Sequence, residues 1–350
     1  MQLSRRLFLA HGAACCLAAA THGTRAVAAP GFWDGLDERF PHYRDDATGS
    51  RVYNLTPGED ASNQTVYQTH PMWSDDMRYL LFASDRSGDG MRPHVLDTTT
   101  GEIRPLPGGS GSSTKAIHSN RVYLIRDKRC FVTELKAAFR DDARAKEIAP
   151  LPEYCLGVSG TITADADESA VYIGAVLEPE KRWGLMALDL ESKAWRTIIE
   201  VDFQVGHLQA NPFRKGEIMF CHETGGDADQ RIWFVRADGS NLGPFYKETY
   251  DEWVTHEVWW GPDRIIFTIW PYDDLHKQRP HGLAFADRES GRRGEMTVLS
   301  QYPAWHTHGS PDGRFAMGDD FDRNIWLVDV AARERRLLTH GHLGKGFKTH

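Results

Sequence analysis

The sequence predicts an all-β propeller, a ring of four-stranded blades with six complete blades and a seventh truncated after one strand. Three observations predict it. A turn-centred pattern recurs every 40 to 50 residues or so, short apolar runs alternate as strands do, and helical periodicity is confined to one stretch. The clearest copy begins at His70-Pro71-Met72-Trp73, turns at Ser74-Asp75-Asp76 and continues as Tyr79-Leu80-Leu81-Phe82-Ala83. Further copies turn at Asp165-Ala166-Asp167, at Gly261-Pro262-Asp263 and at Ser310-Pro311-Asp312-Gly313, and another runs from His207 to His222 before the turn Asp238-Gly239. The Asp-containing turns join the first two strands of a blade, and alternate apolar residues pack one blade on the next. The blades fall near 50–106, 110–150, 155–200, 205–247, 253–300 and 303–340, and residues 346–350 read as the first strand of a seventh. The helical stretch, Glu134 to Lys146, reads as a loop excursion.

Composition sets the class. Of 350 residues, 41% are hydrophobic and 26% charged, values of a folded globular chain with ample core. A net charge of −8 argues against a nucleic-acid binder, which needs clustered Lys and Arg. Residues 1–29 read as an export signal: Arg5-Arg6 precede an apolar run ending at Ala28-Ala29, and Ser4-Arg5-Arg6-Leu7-Phe8-Leu9 has the twin-arginine form. Residues 30–350 then form a single propeller domain in the periplasm. Beyond the signal no segment offers the roughly 20 apolar residues of a membrane span. Cys130, Cys155 and Cys221 remain, too few and too widely spaced for a disulfide framework.

Sixteen histidines draw attention to one level of the repeat. The innermost strand comes first in each blade, so residues just before the turn lie near the axis and one rim. His70, His207, His256, His306 and His350 stand there or beside it. In Trp305-His306-Thr307-His308 the two histidines are i and i+2 on a strand, which puts them on one side, as a divalent metal requires. Singly, each histidine reads equally as a hydrogen-bonded channel residue. Cys221-His222-Glu223 followed by Arg231-Ile232-Trp233 sets a cation beside the histidines, suited to binding an anion. The same Arg pairs as readily with Glu223, Asp227 or Asp229, and spacing leaves both readings open.

From about Thr48 to His350 the chain resembles the oligogalacturonate lyases, seven-bladed propellers that act on short pectin fragments. The resemblance is carried by Val52-Tyr53-Asn54-Leu55-Thr56-Pro57, Gly206-His207, Phe220-Cys221-His222-Glu223, Arg231-Ile232-Trp233 and Thr255-His256-Glu257-Val258-Trp259. It implies a metal-assisted β-elimination on a small acidic oligosaccharide, with His256 as base and Arg231 binding substrate charge. It also implies Mn2+ or another divalent ion on His306 and His350, with His308 a replacement ligand. Phe347 stands where the family has a Gln ligand, and the sequence stops before a second His of that motif. The proton donor is not marked; His222 and His207 are the candidates, and both are carried as substrate-binding residues. Two other readings stay open: a non-catalytic, TolB-like periplasmic propeller that binds or scaffolds, and a lyase homologue that has lost activity.

Overall fold

A computed structural model describes residues 34–57, 61–271 and 277–341. The export signal and the seventh-blade strand with His350 and Phe347 lie outside the described residues. Within them are six antiparallel four-stranded sheets, each a simple meander in chain order, and one two-stranded hairpin. The first strands of the six blades are β3 (Asn63–Thr65), β7 (Ser112–Lys115), β11 (Gly157–Ala164), β15 (Val205–Ala210), β19 (Val254–Gly261) and β23 (Ala304–Gly309); β1 (His42–Arg44) and β2 (Arg51–Tyr53) form the hairpin.

The repeated turn has a local cause. In the first blade Ser74 Oγ donates to Asp76 Oδ1 (2.6 Å), and the same hydroxyl accepts the N–H of Tyr79 (2.8 Å). In the sixth, Ser310 Oγ donates to Asp312 Oδ1 (2.7 Å) and accepts the N–H of Phe315 (2.9 Å). Ser-x-Asp side chains thus reinforce a reversal that backbone bonds also close, Ser74 N–H to the Tyr79 carbonyl and Ser310 N–H to the Phe315 carbonyl, both 2.8 Å.

Apolar clusters follow one another between blades. Leu81, Val95 and Val122 join the first two, Cys130, Ile173 and Met186 the next, and Tyr172, Leu208 and Phe220 the third and fourth. Phe234, Trp259 and Phe267 fill the following gap, and Val258, Leu283 and Ala316 the last. Leu36 and Phe40 of the N-terminal segment cover Leu80, Phe82 and Leu96 on the first blade. The same segment reaches the sixth blade, where Thr48 Oγ1 donates to the Leu338 carbonyl (2.8 Å) and the His340 N–H to Asp45 Oδ2 (2.7 Å). It therefore bridges the two end blades.

Two expectations change. Residues 135–139 form a single 3-10 turn before the next strand opens at Lys146. The first blade's opening strand is Asn63–Thr65 rather than His70–Trp73. Thr65 pairs Phe82 and Trp73 bridges Leu80, so residues 66–72 leave the ladder opposite Leu81.

Asp45 is the tie between the ends. Its carboxylate accepts the N–H of His340 and those of Ala47 and Thr48 besides the Thr48 hydroxyl, and these bonds hold its pKa far below the ordinary 3.8. A depressed carboxyl stabilises the fold above the unfolded value, and that contribution is lost as pH falls. Asp45→Asn is expected to lower the melting temperature at neutral pH and to narrow its difference from the wild type as pH drops below 3.8. Equal melting at neutral pH would show that the tie contributes nothing.

Candidate active site

The site arises where the first strands lose register. Pairing slips between Ser159 and Ile162 in β11, Gly206 and Gln209 in β15, Thr255 and Val258 in β19, and Ala304 and Thr307 in β23. A bulge inserts an unpaired residue and re-aims its side chain. His207 (φ 42°) and His256 (φ 54°) occupy these insertions in left-handed backbone, which costs a side-chain-bearing residue about 1–2 kcal/mol each. Gly160, φ 66°, takes the same place in β11, where a Cβ would lie 2.9 Å from the Val205 carbonyl oxygen. In the first blade the larger excursion of residues 66–72 delivers Tyr67.

These side chains meet. His256 and His306 have ring centroids 4.1 Å apart, His207 and His256 6.2 Å, and Tyr67 contacts all three at 4.9 Å from His207 and 6.3 Å from the others. The Nδ1–H of His256 donates to the Trp305 carbonyl, a very short contact, which leaves Nε2 as the basic nitrogen. The carbonyl is itself fixed by the Thr268 hydroxyl (3.1 Å) and the Trp270 indole N–H (3.3 Å). Burial, then the neighbouring His306 and His207, pushes His256 well below the ordinary imidazole range, so the ring is neutral. His306 Nδ1 lies 3.1 Å from Asp319 Oδ2, and its own N–H donates to Asp319 Oδ1 (2.6 Å).

Arg231 is 4% exposed. Its guanidinium lies 3.6 Å from Glu223 Oε2 and 3.6 Å from Glu257 Oε2, and its buried Nε has no hydrogen-bond partner. Glu257 has no exposed surface, and its Oε1 is 3.1 Å from His207 Nδ1. Burial alone raises a carboxyl; here His207 and Arg231 outweigh it and hold Glu257 below its ordinary value. The carboxylates of Glu223 and Glu257 face the one guanidinium of Arg231, and that of Asp319 faces His306. Beside the cluster opens a cavity of about 300 Å³, lined by Tyr67, His70, Arg92, Ser113, Gly160 and Thr161 among others. His70 is buried, and desolvation lowers its pKa to about 4.

Of the residues expected from the sequence, the structure brings together His207, His256, His306 and Arg231. His222 is elsewhere. Cys221 and His222 alternate on their strand, so Cys221 turns inward while His222 stacks on Phe203 at 4.4 Å. His308 does not share a side with His306: the register shift in β23 breaks the two-residue alternation, leaving His306 buried and His308 exposed. Arg231 does pair with Glu223, one of the carboxylates proposed for it, but also with Glu257, which sequence reasoning did not assign. Tyr67 and Asp319 were likewise missed.

One donor set in this cluster and the single His306 bear on a metal; Asp45, Asp46 and His340 form a second donor set where the N-terminal segment meets the sixth blade. His207, Cys221 and Glu223 present ligand atoms within 4.8 Å of one another, yet the Arg231 guanidinium lies against Glu223 and burial drives the Cys221 thiol well above its usual value, which disfavours a thiolate ligand. His306 fits better. An Nδ1 held by a carboxylate assigns Nε2 as the ligating atom, the arrangement usual behind metal-bound histidines.

Residues 176–331 match a family model described as oligogalacturonate lyase. An oligogalacturonide lyase of Pectobacterium atrosepticum is 24% identical over 315 residues, 83% of this chain and 77% of its own, and the oligogalacturonate lyase of Dickeya dadantii is 26% identical over 316 residues, 84% and 78%. Over most of its length this chain is similar to the oligogalacturonate lyases. The fold agrees: a solved oligogalacturonate lyase in complex with manganese superposes with a TM-score of 0.73 at 20% identity, over 88% of this chain and 87% of its own. The oligogalacturonate lyase match, 176–331, takes in β15, β19 and β23, the strands that supply His207, His256 and His306.

Behind Arg231, Glu248 Oε1 accepts the N–H groups of Arg231 and Ile232, yet burial raises its carboxyl from 4.5 to about 8. The folded protein thus binds this proton more tightly than the unfolded chain. The associated stability is full below pH 4.5 and lost as pH rises through 8. Glu248→Gln is expected to flatten the decline of melting temperature across that range relative to the wild type. Parallel profiles for the two proteins would contradict a protonated Glu248.

Proposed function

We propose that the protein is a lyase that cleaves short oligogalacturonates by β-elimination, assisted by a divalent metal. The observation that carries this reading is the pairing of a neutral, buried His256, its Nδ1 committed to the Trp305 carbonyl, with a buried Arg231 whose Nε makes no hydrogen bond and lies 3.6 Å from Glu257 Oε2. His256 Nε2 takes the proton at C5 of a uronate, and Arg231 binds the adjacent carboxylate, drawing off the charge that develops as that proton leaves.

The formal charge of the cluster explains why Arg231 needs help. An anionic sugar approaches a site where three carboxylates, Glu223, Glu257 and Asp319, stand against the one guanidinium of Arg231. His306, backed by Asp319, is the described residue that would hold a divalent ion, and His350 is the second ligand proposed from the sequence. When bound, such an ion supplies Lewis-acid charge at the uronate carboxylate and lowers the cost of removing the neighbouring proton. Manganese is the metal proposed, because a structural neighbour is an oligogalacturonate lyase in complex with manganese.

Export belongs to the same proposal: residues 1–29 as a twin-arginine signal, with the mature propeller in the periplasm. Among the described residues no helix is long and apolar enough to cross a membrane. A scaffold of the TolB-like kind has no use for left-handed histidines and a buried, partly unsatisfied Arg at the axis.

With manganese and unsaturated digalacturonate, the wild type is expected to release uronate products that alter the ultraviolet absorbance. His256→Asn is expected to lower turnover by about 10²- to 10⁴-fold at unchanged melting temperature. No turnover by the wild type with any uronate oligomer, metal present, would sink the reading.

A further inference from the structure

A β-elimination also needs a proton for the departing oxygen, and His256 is committed to taking one. Of the candidates from the sequence, His222 stacks on Phe203, and His207 is held in the cluster between Glu257 and Tyr67. Tyr67 belongs both to the cluster and to the adjoining cavity. It lines the cavity, its ring contacts His256 at 6.3 Å, and its hydroxyl is 3.3 Å from His207 Nε2. Behind it the chain continues through His207 Nδ1 to Glu257 Oε1 at 3.1 Å, inside the protein. Glu223 Oε2, 3.6 Å from His207 Nε2, lies beside the second ring nitrogen.

We propose that Tyr67 is the catalytic proton donor to the departing glycosidic oxygen, and that His207, itself held by Glu257, positions the phenol. The proposal rests on the lyase reading and deepens it. As His256 Nε2 takes the C5 proton, the C5–H electron pair forms the C4=C5 double bond. The C4–O bond breaks, and its pair stays on the glycosidic oxygen. That oxygen takes the Tyr67 hydroxyl proton, and the phenolate oxygen takes a proton back from water. One proton is gained at His256 and one lost at Tyr67, and exchange with water restores both.

Two other functions for Tyr67 are consistent with its ring contacts: packing against the histidines, or orienting His207. A substrate whose leaving group needs no proton separates them. Tyr67→Phe keeps the ring and removes the hydroxyl. Acting with manganese on unsaturated digalacturonate, this variant is expected to lose about 100-fold or more in kcat with little change in KM, whereas on a galacturonate bearing a 4-nitrophenyl ether at C4 its loss is expected to stay within about threefold. His256→Asn, which lacks the base, should be slow on both. Equal losses of Tyr67→Phe on the two substrates would overturn the proposal, as would full activity on the digalacturonate. The wild type gives the same division without a variant: a solvent deuterium isotope effect on kcat with the digalacturonate and none with the aryl ether. An isotope effect of equal size on both would contradict it. Wild type inactive on both substrates would instead refute the lyase reading on which the proposal stands.

Discussion

The site depends on one backbone constraint: the loss of register in the innermost strands at a common level of the ring. Regular pleating would send successive side chains to the two faces of a blade, into the packing between neighbours. The bulges turn His207 and His256 out of that alternation, with both in left-handed backbone. Cross-blade bonds hold the arrangement: the Gln209 amide donates to the Glu257 carbonyl (2.8 Å), and the Ser159 hydroxyl to the Val205 carbonyl (2.9 Å). Where function calls for room rather than a side chain, the same level carries Gly160 and opens toward the cavity.

Charge is the second constraint. A fully buried carboxylate such as Glu257 persists because His207 and Arg231 face it, and each of those is oriented by it in turn. The carboxylates that fix the imidazoles and the guanidinium also make the cluster negative, so an anionic sugar calls for an added cation. His306 and Asp319 stand on the side of the cluster contributed by the sixth blade, with His256 between them and His207. The residues proposed as base, anion clamp and metal ligand, His256, Arg231 and His306, therefore come from three consecutive blades, and Tyr67 reaches them from the first.

Much of this was legible in the sequence. The Ser-x-Asp turn identifies itself because its hydrogen bonds are local, and the blades follow from its recurrence. His207, His256 and His306 were recognisable because each stands a few residues before the turn that ends its blade's first strand, at Asn211-Pro212, Gly261-Pro262-Asp263 and Ser310-Pro311-Asp312. The errors share one physical source, since periodicity does not report where a strand bulges. His308 was set beside His306 by an alternation that the shift in β23 breaks. Tyr67 was invisible because residues 66–72 leave a strand that the apolar pattern placed at His70–Trp73. Glu257 stood in the quoted Thr-His-Glu stretch, adjacent to the base, but its inward direction depends on the bulge in β19.

The central claim is that one uronate lies between His256 and Arg231, with its carboxylate toward the cation side of the cluster. The most direct test is a crystal structure of the inactive His256→Asn protein with manganese and trigalacturonate. The account predicts anomalous scattering at His306 Nε2, one uronate carboxylate within hydrogen-bond reach of Arg231, and its C5 facing residue 256. A sugar bound with its carboxylate away from Arg231, or a metal on His207, Cys221 and Glu223, would contradict it.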